Sequence, residues 1–363
     1  MSRTLFYTFI FIYISALYYL ATTLPIGPNE AKVYYTDSSV LFYLTHFANG
    51  WFGNGLDFRL PFLLFGVLNI LLFCIMSKIY CSDIEQSYLA TTIFALLPGI
   101  ITASVIVNIA VVVITLVLIF IILHEAKQRF LQGVVMLLLL FIHDASVIFF
   151  IAVAIFSAFR RDSKFFTIVI VFAGISLLYF NGLDIGGKPK GKFLELIGLY
   201  VALFSPLVFI YFFYALYRIW LRENKDILWH ISFTAFVISI ILSLRQTVDM
   251  TDFAPYVIVS VVLMIVTYKK TIGVRLPQFQ KGYKLGYRIV VGSLILFSMI
   301  IVFHKSLFYL IDDKSKHFAY PFYKPYWMVK ELREINQECH TAKKKKVQYQ
   351  LRYYGIKECK DSK

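Results

Sequence analysis

Charge is scarce in this chain, and acid scarcer still. Only 16% of its 363 residues are Asp, Glu, Lys or Arg, and the acids number 21 against 36 basic residues. No GxxxxGK[ST], HExxH or CxxC stretch occurs, so nothing supports nucleotide hydrolysis or zinc chemistry. There is no internal repeat, and the one low-complexity tract is the KKKK run at 343–346. The first apolar run, 5–24, has no small-residue cleavage site and is long for a signal peptide, so a retained helix is expected.

What the chain has in excess is apolar surface. It is 59% hydrophobic and 18% aromatic, with a mean hydropathy of +0.72. Soluble domains need only about 45–50% apolar residues, and runs of about 18–20 apolar residues recur along most of this length. The expectation is an all-α polytopic membrane protein. Its formal charge of +15 then reads as basic loops facing the cytoplasm plus a basic tail, rather than as a nucleic-acid surface.

Eleven spans are expected, at 4–23, 60–80, 86–104, 106–124, 130–143, 145–159, 165–181, 196–218, 228–244, 253–268 and 288–311. The basic connectors HEAKQR, FRRDSK, YRIWLRENK and YKKTIGVRLPQFQKGYKLGYR all fall on one side if the N-terminus is cytoplasmic. Between two of them lie about 30 mostly apolar residues, too many for one untilted span. This stretch should fold back at its only charged residues, His143 and Asp144. A transmembrane domain over 1–312 with a large first outer loop at 24–59 follows, with a basic appendage over 313–363. That tail holds 13 of the 36 basic residues, which long terminal segments tolerate on the outer side. In it, KPYWMVKELREINQECH places Trp327, Met328, Leu332 and Ile335 at helical spacing, while KKKKVQYQLRYYG alternates Val347, Tyr349 and Leu351 as a strand does. A small α/β appendage is expected. An outside tail permits a Cys339–Cys359 disulfide, closing a loop worth on the order of 3 kcal/mol, whereas a cytosolic one would hold two free thiols.

The outer segments carry the candidate chemistry. Glu30 is a carboxylate on a membrane rim among aromatic rings, where a general base or a plain solvated acid can sit. Lys188, Lys190 and Lys192, with Arg245, place cations where phosphate, carboxylate or lipid headgroups are met. His143 and Asp144 are either a catalytic pair or a hydrogen-bonded turn, and Asn108 is a helix cap or a polar contact.

Several passages, in order, resemble the GT-C glycosyltransferases, specifically bacterial lipid-linked-sugar transferases related to protein mannosyltransferases and lipid A aminoarabinose transferase. PNEAKVYY is similar to the acidic opening of that family's first outer loop. WFGNGLDFRLPFLLFGVLNILLFCIMSKIY resembles its entry into the second helix, and LLPGIITASVIVNIAVVVITLVLIFI its third and fourth helices. FIHDASV stands where relatives carry a polar turn. ELIGLYVALFSPLVFIYFFYALYRIW resembles a helix with a central Pro, and SLRQTVDMTDFAPYVIVSVVLMI a late outer loop and helix. The likeness spans most of 1–268.

It implies transfer of a sugar from a polyprenyl-phosphate-linked donor to a lipid, glycan or protein acceptor, at the outer face of a bacterial cytoplasmic membrane, with no metal or other cofactor. The family's loop carboxylates fall on Asn29 and Glu30. Asn29 and Asn108 are amides where relatives carry acids, and an amide cannot take a proton. The base is therefore expected at Glu30, with Asp37 and Asp144 as alternatives. Lys32, Tyr35, Asn108, His143 and Tyr256, with the four cations above, are the expected substrate contacts. The competing classes are a flippase or transporter, a polymerase or ligase of another membrane fold, and a non-catalytic factor of envelope polysaccharide assembly. A transporter would carry charged or broken helices at mid-bilayer and a repeat, which this sequence does not display.

Overall fold

The computed structural model describes residues 1–36, 39–180 and 191–359. It is 78% helical, with no strand among the described residues. In chain order the helices are α1 (Arg3–Thr23), α2 (Pro28–Thr36), α3 (Val40–His46), α4 (Leu56–Tyr80), α5 (Ile84–Leu96), α6 (Pro98–Val105), α7 (Ala110–Glu125), α8 (Arg129–Ile142), α9 (Ser146–Phe159) and α10 (Ser163–Tyr179). There follow α11 (Phe193–Phe204), α12 (Pro206–Arg222), α13 (Ile227–Ser243), α14 (Met250–Ile258), α15 (Val261–Val274), α16 (Pro277–Val302), α17 (His304–Leu307), α18 (Tyr320–Glu334) and α19 (Lys345–Tyr353).

Every apolar run expected to span overlaps at least one helix. By length and composition α1, α4, the continuous stretch Met250–Val274 and α16 can each cross a bilayer. Two further helix pairs are apolar enough only when taken together, each as a broken span or a re-entrant loop. The α5–α6 pair bends by 63° and the α11–α12 pair by 103°, each at a proline that cannot donate a helical hydrogen bond. At the second break Ser205 adopts φ +77°, left-handed for a residue with a Cβ. The remaining apolar helices, α7 to α10 and α13, run 14 to 17 residues. At 1.5 Å per residue, 14 residues cover about 21 Å of a core about 30 Å thick. The final span begins at Pro277 and ends at Val302, earlier at both ends than 288–311.

Contacts divide the chain into two compact units. The first comprises Met1–Ile12, Phe65–Thr102 and Ile109–Ser298. Its core is a continuous apolar cluster in which α9 packs on α10 and α13, α7 on α8 and α14, and α15 on α5 and α12. The second comprises Tyr13–Leu64, Ala103–Asn108 and Met299–Lys363. The tail therefore does not stand alone after residue 312. Helix α19 lies on α2 of the first outer loop, and Gln350 donates to the Ile26 carbonyl at 2.7 Å.

The tail also corrects the expected strand. Residues 347–351 are helical, because Val347, Leu351 and Tyr354 recur at i, i+4 and i+7 and meet Val329, Leu332 and Ile356. Among the described residues of the appendage, the only ladder contact is a single bridge from Cys339 to Lys357. Cys339 and Cys359 are disulfide-bonded, with Cα atoms 4.9 Å apart. The appendage is thus helical rather than α/β.

Candidate functional site

The second unit places Glu30 first. Pro28 opens α2 with its fixed φ, and Glu30, in the first turn, reaches back to the Gly27 amide at 2.7 Å, half of a capping box. The side chain is 1% exposed. Its Oε1 also takes Arg59 Nε and the Val107 amide, both at 3.0 Å, and its Oε2 takes an Arg59 terminal nitrogen at 2.6 Å. A carboxylate has about four acceptor positions, and all are filled. Arg59 is equally saturated. Beyond Glu30, it donates to the carbonyls of Ala21 at 3.1 Å, Leu24 at 2.6 Å and Pro25 at 2.9 Å. The pair ties together the end of α1, the start of α2, the start of α4 and the 103–108 segment. Gly55 lets the chains close here, since a Cβ on it would stand 2.9 Å from the Ala21 carbonyl.

This bears on the base role expected of Glu30. No lone pair remains to take a proton from an acceptor hydroxyl, so the geometry makes it a clamp. Of its neighbours, Asn29 is exposed and accepts from Lys346 Nζ at 2.7 Å. Lys32 is exposed, and Tyr35 lies under the Arg352 guanidinium, 4.6 Å from its ring centre. Asn108 is half-buried and precedes Ile109, the actual cap residue of α7. Asp37, Lys188 and Lys190 lie outside the described residues.

The first unit gathers a different group. Helix α8 ends at His143, whose backbone is extended, and Asp144 Oδ1 accepts the Ala145 amide at 2.9 Å in the turn before α9. His143 Nδ1 lies 3.3 Å from the same oxygen. That contact holds the Asp144 carboxyl below the usual carboxylate range, against the opposing pull of partial burial. Asp252 and Tyr256 stand four residues apart on α14, hence on one face. Ligand atoms of His143, Asp144 and Asp252 all lie within 4.8 Å of one another. The Tyr256 ring centre is 6.1 Å from that of His143. His143 Nε2 and the Tyr256 hydroxyl are buried and make no hydrogen bond. Lys192, at the start of α11, pairs with Glu195 at 2.8 Å, and its backbone amide donates to the Ser243 carbonyl, two residues before Arg245.

Two of these residues escaped the sequence reading. Arg59 carried a signal, being a lone cation at the head of a long apolar helix. Asp252 sits in the quoted passage TVDMTDFAPYV, three residues after Asp249, but only folding joins it to the His143 turn.

No family model and no curated protein matches this sequence. Among solved structures, the chain is similar to the crystal structure of ArnT from Cupriavidus metallidurans in the apo state. The TM-score is 0.63 at 11% identity, covering 95% of this chain and 84% of that one. The likeness defines a GT-C-like fold, the architecture of GT-C membrane glycosyltransferases; at this identity it concerns the fold alone.

Proposed function

We propose that this chain is a membrane glycosyltransferase that moves a sugar from a polyprenyl-phosphate-linked donor to a lipid, glycan or protein acceptor. The reading rests on the GT-C-like fold over 95% of the chain. The reaction is assigned to the outer face of a bacterial cytoplasmic membrane, the side opposite the basic connectors. An acceptor hydroxyl attacks the anomeric carbon, the carbon–oxygen bond to the phosphate breaks, and the polyprenyl phosphate departs with the bonding electrons. The acceptor's proton goes to a carboxylate.

With Glu30 saturated, that carboxylate is assigned to Asp252. It is half-buried, and one of its oxygens takes the Thr251 hydroxyl at 3.3 Å. Asp144 and His143 stand beside it, and Arg245 with the 188–192 lysines remains the proposed partner of the departing phosphate. Glu30 and Arg59 hold the loop that follows α1.

The test is lipid-linked and surface glycan analysis after deletion of the gene, followed by complementation. Wild-type sequence should restore the missing sugar. Asp252→Asn should lower transfer by about 10²–10⁴, the usual cost of a lost base, while inserting and folding normally. Unchanged glycans on deletion would end the transferase reading; normal transfer by Asp252→Asn would move the base elsewhere.

A further inference from the structure

We infer that the cavity between the ends of α12 and α15 is a headgroup site for an anionic glycerophospholipid, on the face that carries the basic connectors. It encloses about 520 Å³. On α12, Tyr214, Tyr217, Arg218, Leu221 and Arg222 line it, spaced at i, i+3, i+4, i+7 and i+8, one stripe of a helix. Thr271 and Val274 of α15, with its cap residue Arg275, form the other wall. Three arginines from two separate connectors thus meet around one space, and no acid is among the described residues that line it. The general bias towards basic inner loops asks for neither the convergence nor the missing acid.

The positive charge there is not neutralised. Glu223 is the nearby acid, and it pairs with Lys270. Arg218 Nε is buried without a hydrogen bond, 3.7 Å from the same carboxylate. Among the described residues, no carboxylate pairs with Arg222 or Arg275. Arg275 stacks on the Tyr283 ring, 4.3 Å from its centre, which occupies the face of the guanidinium and none of its N–H groups. Those groups match the oxygens of a phosphate. The surroundings select a lipid over a soluble phosphate. Leu221 and Val274, in the wall itself, are 58% and 86% exposed, apolar surface that acyl chains cover. Tyr214, Tyr217 and Trp220 are exposed on the same helix, and such rings mark the depth at which headgroups lie. A basic pocket between spans on the inner side is the form that anionic headgroup sites take.

The site is independent of sugar transfer, because its test reads lipid binding. The purified full chain, delipidated in detergent, is titrated with phosphatidylglycerol and, separately, with phosphatidylethanolamine. The first lipid bound is followed by native mass spectrometry. Phosphatidylglycerol should bind at least about tenfold more tightly. Arg222→Gln/Arg275→Gln, at exposed positions, should remove that preference. Arg161→Gln/Lys164→Gln, exposed in another basic connector and outside this cavity's lining, should keep it. Inorganic phosphate in excess should not displace the lipid. Equal affinity of the wild-type chain for the two lipids would overturn the assignment without any variant needing to fold. An unchanged preference in Arg222→Gln/Arg275→Gln would overturn it too, as would an equal loss in both double variants, which is diffuse charge attraction. Displacement by inorganic phosphate would mean a soluble ligand and end the lipid assignment.

Discussion

Glu30 with Arg59 is a fully buried polar pair, whereas in the group of His143, Asp144 and Asp252 only His143 is buried, Asp252 is half-buried and Asp144 is exposed; the two groups are finished differently. In the first, the carboxylate accepts four hydrogen bonds and the guanidinium donates five, three of them to backbone carbonyls. In the second, two fully buried polar atoms have no partner. Saturation is what a structural joint needs, because each unpaired group would cost about 1–3 kcal/mol. An unsatisfied buried atom is tolerated where a ligand completes it. The acid that stands out in the sequence is thus the saturated one, and the quieter acids are the less completely bonded.

The largest effect should come from cutting the joint. Glu30→Gln and Arg59→Met each leave one buried charge unpaired, and each should destabilise the fold by about 3–5 kcal/mol. The double variant should recover part of the loss, because no lone charge then remains, but not all of it. The three carbonyls would still lack the guanidinium that they bond. Chemical denaturation of the detergent-purified protein reads all three. Were Glu30→Gln to unfold like wild type and yet transfer no sugar, the comparison would be inverted and Glu30 would return as the base.

The comparison also marks what a sequence can express. Helix positions were legible because apolarity and its period are local properties, and each of the eleven expected runs overlaps a helix. The breaks at Pro98 and Pro206 were legible as prolines, but not as bends of 63° and 103°, which depend on what each half packs against. The tail misled for a related reason. Val347, Tyr349 and Leu351 fit a strand's alternation, while Val347, Leu351 and Tyr354 fit a helix, and only the apolar partners on α18 decide between them. Glu30 was legible as a loop acid, but its partner Arg59 lies 29 residues away. The His143 cluster was half legible, because His143 and Asp144 are adjacent and Asp252 joins them only through the packing of α14.

A smaller effect should follow from opening the disulfide. The Cys339–Cys359 bridge closes a segment with a sequence separation of 20, which includes α19, the helix that rests on α2. Replacing both with serine should cost about 3 kcal/mol by loop-closure entropy, and the loss should be confined to the unit that contains Glu30. Hydrogen exchange would reveal this as faster exchange of the amides in α2 and α19, with α9 and α13 unchanged. Equal loosening of α9 and α13 would mean that the two regions do not respond separately.

The smallest effect is set by pH, and it again separates satisfied groups from open ones. His304 and His317 are each 3% exposed and sit where α16 gives way to the tail. His304 Nδ1 faces the Ile301 carbonyl at 2.9 Å and so carries the proton, leaving Nε2 to accept the Tyr323 hydroxyl at 2.9 Å. His317 is the mirror case, with Nε2 donating to the His304 carbonyl at 3.1 Å and Nδ1 accepting the Ala319 amide at 3.0 Å. Both rings are bound as neutral imidazoles, and burial lowers the pKa of each below its ordinary value. The unfolded chain therefore binds protons first. The contribution is complete above the unfolded value of about 6.5 and is lost as pH falls through it towards the folded values. Each protonation removes one acceptor, so a loss of about 1 kcal/mol per histidine is expected between about pH 7.5 and about pH 5. Unfolding of the wild type and of a His304→Gln/His317→Gln variant, measured across that range, isolates the contribution as the difference between the two slopes. If the variant loses stability on acidification as steeply as the wild type, these histidines are not the titrating groups.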